Sequence, residues 1–214
     1  MPEPHSDKAR MDNARWLELM EACSLPTSQT CFDALLKAYS SPKRHYHNGE
    51  HIAAMLQHFD NVRALADDPN AIELAIWFHD AIYNPFSSTN ELDSAVWSKT
   101  FLTENDASDV LIEHVYRLIM ATQHNHTLHD NDEKLIVDID LTILGAPRAV
   151  YDQFEKHVRL EYRFVPLFIY KQKRIEVLKQ FLDQARIYNH DVFHQQFEAS
   201  ARQNLMRAIT KLET

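Results

Sequence analysis

The sequence predicts an all-α protein, and three observations carry the prediction. Glycine occurs only twice, at Gly49 and Gly145, so the chain lacks the residue that tight hairpin turns demand. Almost no Asn-Gly or Asp-Gly pair separates alternating apolar runs, the usual mark of paired strands. Apolar residues instead recur every three or four positions through most of the chain, which is the period of a helix with one buried face.

The elements follow in order. Spacing predicts helices at roughly 11–23, 28–40, 49–66, 70–83, 90–103, 108–123, 131–144, 148–164, 167–186 and 191–212, a bundle of about eight to ten helices. Asn48 is suited to cap the third, and Ser88 with Glu91 has capping-box spacing for the fifth. Gly145 followed by Pro147 ends the seventh and opens the eighth, and Pro166 stands where the ninth begins its first turn. The expected organisation is an N-terminal helical arm over residues 1–25 and a single helical domain over residues 26–214.

Bulk properties narrow the function. The chain is 45% apolar and 25% charged, as a folded globular protein should be. No apolar run approaches the roughly 20 residues of a membrane span, and the first residues lack a basic segment leading into an apolar one. The expectation is a cytoplasmic protein with no membrane partner. Cys23 and Cys31 are too few for a disulfide framework and form no Cys-x-x-Cys pair, so reduced thiols are expected. A net charge of −9 argues against a nucleic-acid polymer as partner, because such binding needs a basic stripe to displace counterions. A small phosphorylated ligand needs only one or two cations or a metal. Histidine is abundant, at 13 residues, and several cluster.

Three stretches carry chemistry: Arg44-His45-Tyr46-His47-Asn48-Gly49-Glu50-His51-Ile52, Trp77-Phe78-His79-Asp80-Ala81-Ile82-Tyr83 and Val137-Asp138-Ile139-Asp140-Leu141. At about 100° per residue His79 shares a helix face with Ile72, Ile76 and Tyr83, and Asp80 follows an unbroken apolar run. A buried carboxylate there requires a cation, a metal or several donors. His51 points inward with Met55, Phe59, Val62 and Ala66, with His47 a nearby rival. In the third stretch the wheel places Asp140 within an apolar arc and Asp138 outside it, beside Lys134 and Thr142. Asp140 is therefore the expected ligand, and Asp138 the solvated or supporting carboxylate. Two imidazoles and two carboxylates without sulfur suit Mn²⁺, Fe²⁺, Co²⁺, Ni²⁺ or Mg²⁺ at least as well as Zn²⁺.

The ordered set His51…His79-Asp80…Asp140 resembles the pattern of the HD-domain superfamily, over roughly residues 44–145. The longer strings Tyr46-His47-Asn48-x-Glu50-His51-Ile52 and Phe78-His79-Asp80-x-x-Tyr83, followed by Asn90-Glu91-x-x-Ser94-Ala95, are similar to a branch described as predicted metal-dependent phosphohydrolases. The resemblance implies a helical bundle holding one or two metals at its core and hydrolysis of a phosphoester, with further helices over 147–213. The Gly-Lys that often follows His-Asp in the cyclic-dinucleotide and nucleotide phosphodiesterase branches is absent, and Ile82-Tyr83 stands there instead.

For such a hydrolase, metal-activated water would attack phosphorus while cations offset charge on the remaining oxygens. Lys43 and Arg44 are the nearest cations in sequence, with Arg159 and Arg174 further away; His47 is a candidate substrate contact. Glu91 is placed to orient water or protonate the leaving group, unless it serves only the capping box. His124 and His126, near His129, lie where two-metal members of the superfamily place further histidines, so His124 is a candidate for phosphate or a second metal. Two other readings use the same residues: a di-iron oxygenase of the same fold, or a non-enzymatic module binding a nucleotide or protein around a structural metal. Homo-oligomerisation is left open by the sequence.

Overall fold

The computed structural model of the chain describes residues 11–124 and 127–214. Among these residues there are ten α-helices and no strand. The all-α expectation therefore holds. Packing divides the chain into two compact units, one ending at Thr127 and one beginning at Leu128.

The first unit holds α1 (Asn13–Ala22), α2 (Gln29–Tyr39), α3 (Gly49–Val62), α4 (Pro69–Phe78), α5 (Asn90–Glu104) and α6 (Asp109–Ala121). Every residue of α4 from Ala71 to Phe78 is buried, which an almost wholly apolar helix requires. Asp68 caps α4 by accepting from the Asn70 and Ala71 amides, with Pro69 in the first turn where no amide is needed. α1, α3, α5 and α6 pack against it. Glu73, the one charged residue in its buried run, accepts from Arg15 of α1 at 2.7 Å and from Arg63. Arg15 also grips both oxygens of Asp60 on α3. Trp16 of α1 is fully buried, with ring centroids 5.5 Å from Trp77, 5.8 Å from Phe101, 6.2 Å from Phe78 and 6.4 Å from Phe32. Of the expected N-terminal arm over residues 1–25 the structure describes residues 11–25, and there α1 packs into the first unit's aromatic core through Trp16. Removing a fully buried tryptophan typically costs about 3–5 kcal/mol.

Two expected boundaries of the first unit shift. The third helix ends at Val62, and its tail, Arg63–Leu65, tightens to a 3-10 turn. The fourth stops at Phe78 instead of continuing to Tyr83. Pro85 has no amide to offer the Ala81 carbonyl, so a helix cannot close there, and tertiary donors receive the freed carbonyls instead. Asn48 caps α3 as expected, accepting from the Glu50 amide at 2.9 Å. The Ser88–Glu91 capping box does not form: Thr89 is the N-cap residue, and its hydroxyl donates to Asp93.

The second unit holds α7 (Asn131–Asp140), a 3-10 segment (Leu141–Gly145), α8 (Arg148–Glu161), α9 (Leu167–Leu182) and α10 (Asp191–Glu213). α10 packs closely along the 3-10 segment and α9. Gly145 permits this approach, since a Cβ there would stand 2.6 Å from Phe197 Cβ and 2.8 Å from its carbonyl oxygen. Carbonyls released at the end of α7 find new donors. Leu141 O accepts from the Tyr188 hydroxyl, and Leu144 O and Ala146 O accept from Asn204 Nδ2. The ninth helix, expected to reach 186, ends at Leu182. The segment after it is captured by α10: buried Glu198 accepts from the Ile187 and Tyr188 amides, and Arg202 donates to the carbonyls of Leu182, Gln184 and Ala185.

Among the described residues no helix is long and apolar enough to cross a membrane. Both cysteines are free thiols. Burial pushes Cys23 up to about 11, with Asp68 and Glu73 adding to the effect, and pushes Cys31 up to about 12.

Candidate metal centre

The first unit brings His51, His79 and Asp80 together from two elements. His51 lies in the opening turn of α3 and is buried with Met55 and Phe59 on one face, as the periodicity requires. His79 is the C-cap of α4, and Asp80 is the next residue, already outside the helix; both side chains are buried. Nε2 of His51 is 3.3 Å from Nε2 of His79. Asp80 Oδ2 is 3.2 Å from His79 Nε2 and 3.7 Å from His51 Nε2.

These separations suit a shared cation. Ligand atoms about 2.1 Å from a metal stand about 3.0 Å apart at right angles and about 3.4 Å apart at tetrahedral angles. The tautomer of His79 also fits. Its Nδ1 is 3.0 Å from the Ile76 carbonyl oxygen, which only accepts, so Nδ1 carries the proton and Nε2 presents its lone pair. His51 and His79 thus belong to a buried His/Asp cluster able to hold a metal ion.

The electrostatics separate two carboxylates. Burial alone would raise the pKa of Asp80, but in the metal-free site the protonated forms of His79, His47 and His51, with the hydrogen bond that protonated His79 makes to it, hold it well below the usual carboxylate range. Glu91, in the first turn of α5, is shifted the other way. Burial raises it and the Asp80 charge adds to the rise, against its own backbone amide, His124 and His79. Glu91 therefore shares an electrostatic neighbourhood with Asp80, His79 and His124. With no capping box formed, the local role left to this glutamate is that of an acid in the first turn of α5.

The turn carrying His79-Asp80 is braced from two sides. Arg44 Nη1 donates to the carbonyls of Asp80 at 2.6 Å and His47 at 3.3 Å, and its Nη2 donates to that of Ala81 at 2.8 Å. Its guanidinium lies over the rings of Tyr39 and Tyr83. Tyr39, fully buried, donates its hydroxyl to the Trp77 carbonyl at 3.0 Å. Burial and the Asp80 charge push that phenol well above its usual range, against Arg44. On the other side, Ser94 Oγ accepts from the Ile82 amide and donates to the Ile82 carbonyl, while Asn90 makes the same reciprocal pair with Asn84. The four-residue spacing of Asn90 and Ser94 puts both on one face of α5. That spacing was the available signal for a loop-pinning role, and the sequence reading missed it.

The remaining expected residues divide. Arg44, expected at a phosphate, has both Nη groups on main-chain carbonyls, because the end of α4 leaves those oxygens without helical donors. Lys43 is exposed. His47 is half-buried and stacked on Tyr83 with centroids 4.2 Å apart, and its ring lies 6.2 Å from that of His51. His124 is half-buried just beyond α6, in the left-handed region at φ 57°, which is uncommon for a residue with a side chain. His126 lies outside the described residues.

In the second unit Asp140 is the half-buried last residue of α7. Asp138 corrects the wheel: its side chain is fully buried, not solvated. Oδ1 accepts from Asn189 N at 2.7 Å and Nδ2 at 2.9 Å; Oδ2 accepts from His190 N at 2.7 Å and Nδ1 at 2.8 Å. A wheel assumes one buried face, but α7 is also covered by the segment entering α10. Arg174 is engaged by Glu155, and Arg159 donates to the Tyr162 and Val165 carbonyls. His129 donates its backbone amide to Glu133.

No family model, curated protein or solved structure matches the chain.

Proposed function

We propose that the protein is a metal-dependent phosphohydrolase of the HD-domain type, acting on a small phosphorylated metabolite or nucleotide. The observation that carries this reading is the convergence of His51 Nε2, His79 Nε2 and Asp80 Oδ2 at coordination spacing in a buried site. His51, His79 and Asp80 would hold a divalent ion, Mn²⁺, Fe²⁺, Co²⁺, Ni²⁺, Mg²⁺ or Zn²⁺, with Asp140 joining them on the ground of the sequence pattern. Such an ion, when bound, supplies a water of lowered pKa and a charge facing phosphoryl oxygen.

The chain's own residues supply the rest. Asp80 stays ionised and serves as a ligand throughout. Glu91, shifted the opposite way, retains its proton to higher pH and hands it to the departing oxygen. Environments that push two carboxyl pKa values apart mark the acid and the base of a site. His47, held by its stack on Tyr83, and His124 bind phosphoryl oxygens, with Lys43 at the rim.

Phosphate release from a panel of phosphomonoesters and nucleotides, with Mn²⁺-, Co²⁺- or Mg²⁺-loaded protein, tests the reading. Turnover should vanish in Asp80→Ala and lose its high-pH limb in Glu91→Gln. Loaded protein that is inert across the panel would refute it.

A further inference from the structure

We infer that Arg44 is a positioning residue for the metal centre: its guanidinium fixes the Asp80 turn against the stretch that carries His51. The inference rests on the metal reading above and adds a part to it.

Three observations converge on this one side chain. The first is the state of the main chain at Asp80. α4 ends at Phe78, Pro85 cannot supply an amide, and the Asp80 and Ala81 carbonyls take their donors from Arg44. Fixing those two oxygens fixes the peptide planes on either side of Ala81, and with them the direction of the Asp80 side chain. The second is reach. The same guanidinium also donates to the His47 carbonyl, four residues before His51, so one rigid fork touches both stretches whose Nε2 atoms meet at 3.3 Å. The third is confinement, because the Tyr39 and Tyr83 rings lie 5.3 and 5.6 Å from the guanidinium carbon. Tyr83 in turn stacks on His47.

A lysine would not substitute. Its ammonium is a point donor on a flexible stem and cannot span carbonyls on two segments with the planar geometry of a guanidinium. Partners that orient metal ligands typically change metal affinity by about 10–100-fold when removed.

The test uses the full chain and metal alone. Mn²⁺ and Co²⁺ affinities are measured by titration calorimetry for wild type, Arg44→Lys and Arg44→Ala, with the visible spectrum of the Co²⁺ complex as a second readout. Both variants should bind about 10–100-fold more weakly and show an altered Co²⁺ spectrum. Millimolar guanidinium should restore affinity to Arg44→Ala but not to Arg44→Lys. Arg44→Lys keeps a cation between the two rings, so it carries the result if Arg44→Ala does not fold. Wild-type affinity and spectrum in the folded variants would overturn the role of Arg44 while leaving the metal reading intact. Wild-type protein that binds neither metal would overturn both.

Discussion

Replacing Asp138 by asparagine should destabilise the metal-free protein far more than the same change at Asp140. Four donors converge on the two oxygens of Asp138, two from Asn189 and two from His190, all within 2.7–2.9 Å. An asparagine retains one oxygen for two of them and turns an NH₂ group toward the other two, so at least one backbone amide, of Asn189 or His190, faces a donor. Each hydrogen bond to a charged group contributes about 1.5–3 kcal/mol, but losses within one network are not additive. Breaking a buried charged network by altering one partner typically costs about 3–5 kcal/mol. For a chain of this size each kcal/mol lowers the melting temperature by about 2–4 °C, giving a drop of roughly 6–20 °C. Asp140→Asn, at a half-buried helix end, should stay within about 1 kcal/mol. Thermal unfolding followed by circular dichroism on metal-free protein at neutral pH is the assay. A shift below about 2 °C for Asp138→Asn would refute the claim that this carboxylate holds α7 to the start of α10.

Three further outcomes follow from particular contacts. Gly145→Ala places a methyl group 2.6 Å from Phe197 Cβ and 2.9 Å from its Cα; since main chain cannot step aside cheaply, urea unfolding should report a loss of about 1–3 kcal/mol or more. Ser94→Ala removes both partners of the Ile82 peptide; a loss of about 1–2 kcal/mol is expected, with faster hydrogen exchange at the Ile82 amide, and unchanged exchange would count against the bracing role. Glu198 is pushed up by burial but held below its ordinary value of 4.5 by Arg202 and the Ile187 and Tyr188 amides. A carboxylate lowered on folding stabilises the fold above its unfolded pKa and loses that contribution as pH falls through the folded value. The stability gap between wild type and Glu198→Gln should therefore be full at neutral pH and shrink below about pH 4.5, as urea midpoints down the pH scale would show.

The sequence and the structure agree where one helix face decides the answer, and diverge where several segments compete for a backbone. Ten helices were legible because each repeats apolar residues at helical spacing, and His51 could be turned inward from Met55 and Phe59 alone. The end of α4 was not legible, because it depends on donors 36 and 37 residues away in sequence. The same fact hid the carbonyl partners of Arg44, whose place just before the first motif makes it a candidate for phosphate. The burial of Asp138 was not legible because a wheel has no place for the segment after α9 that covers it. The packing of α1 was hidden for a similar reason: only the fold shows that Trp16 joins a ring cluster with Trp77, Phe78 and Phe101, which lie far along the chain. Ser88 and Glu91 had the spacing of a cap, but the loop pinned by Asn90 starts α5 one residue later than the box requires.

The edge-on pairing of Trp16 and Trp77, with centroids 5.5 Å apart and planes at 69°, makes the first unit its own optical gauge. Two indoles this close and fixed in a chiral arrangement couple their electronic transitions, so the folded chain should show a strong paired band in its circular dichroism that neither ring produces alone. The band reports one event, the seating of α1 against α4, and it should vanish in Trp16→Phe while the helical signal persists. Undocking of α1 could then be followed in real time without attaching a label.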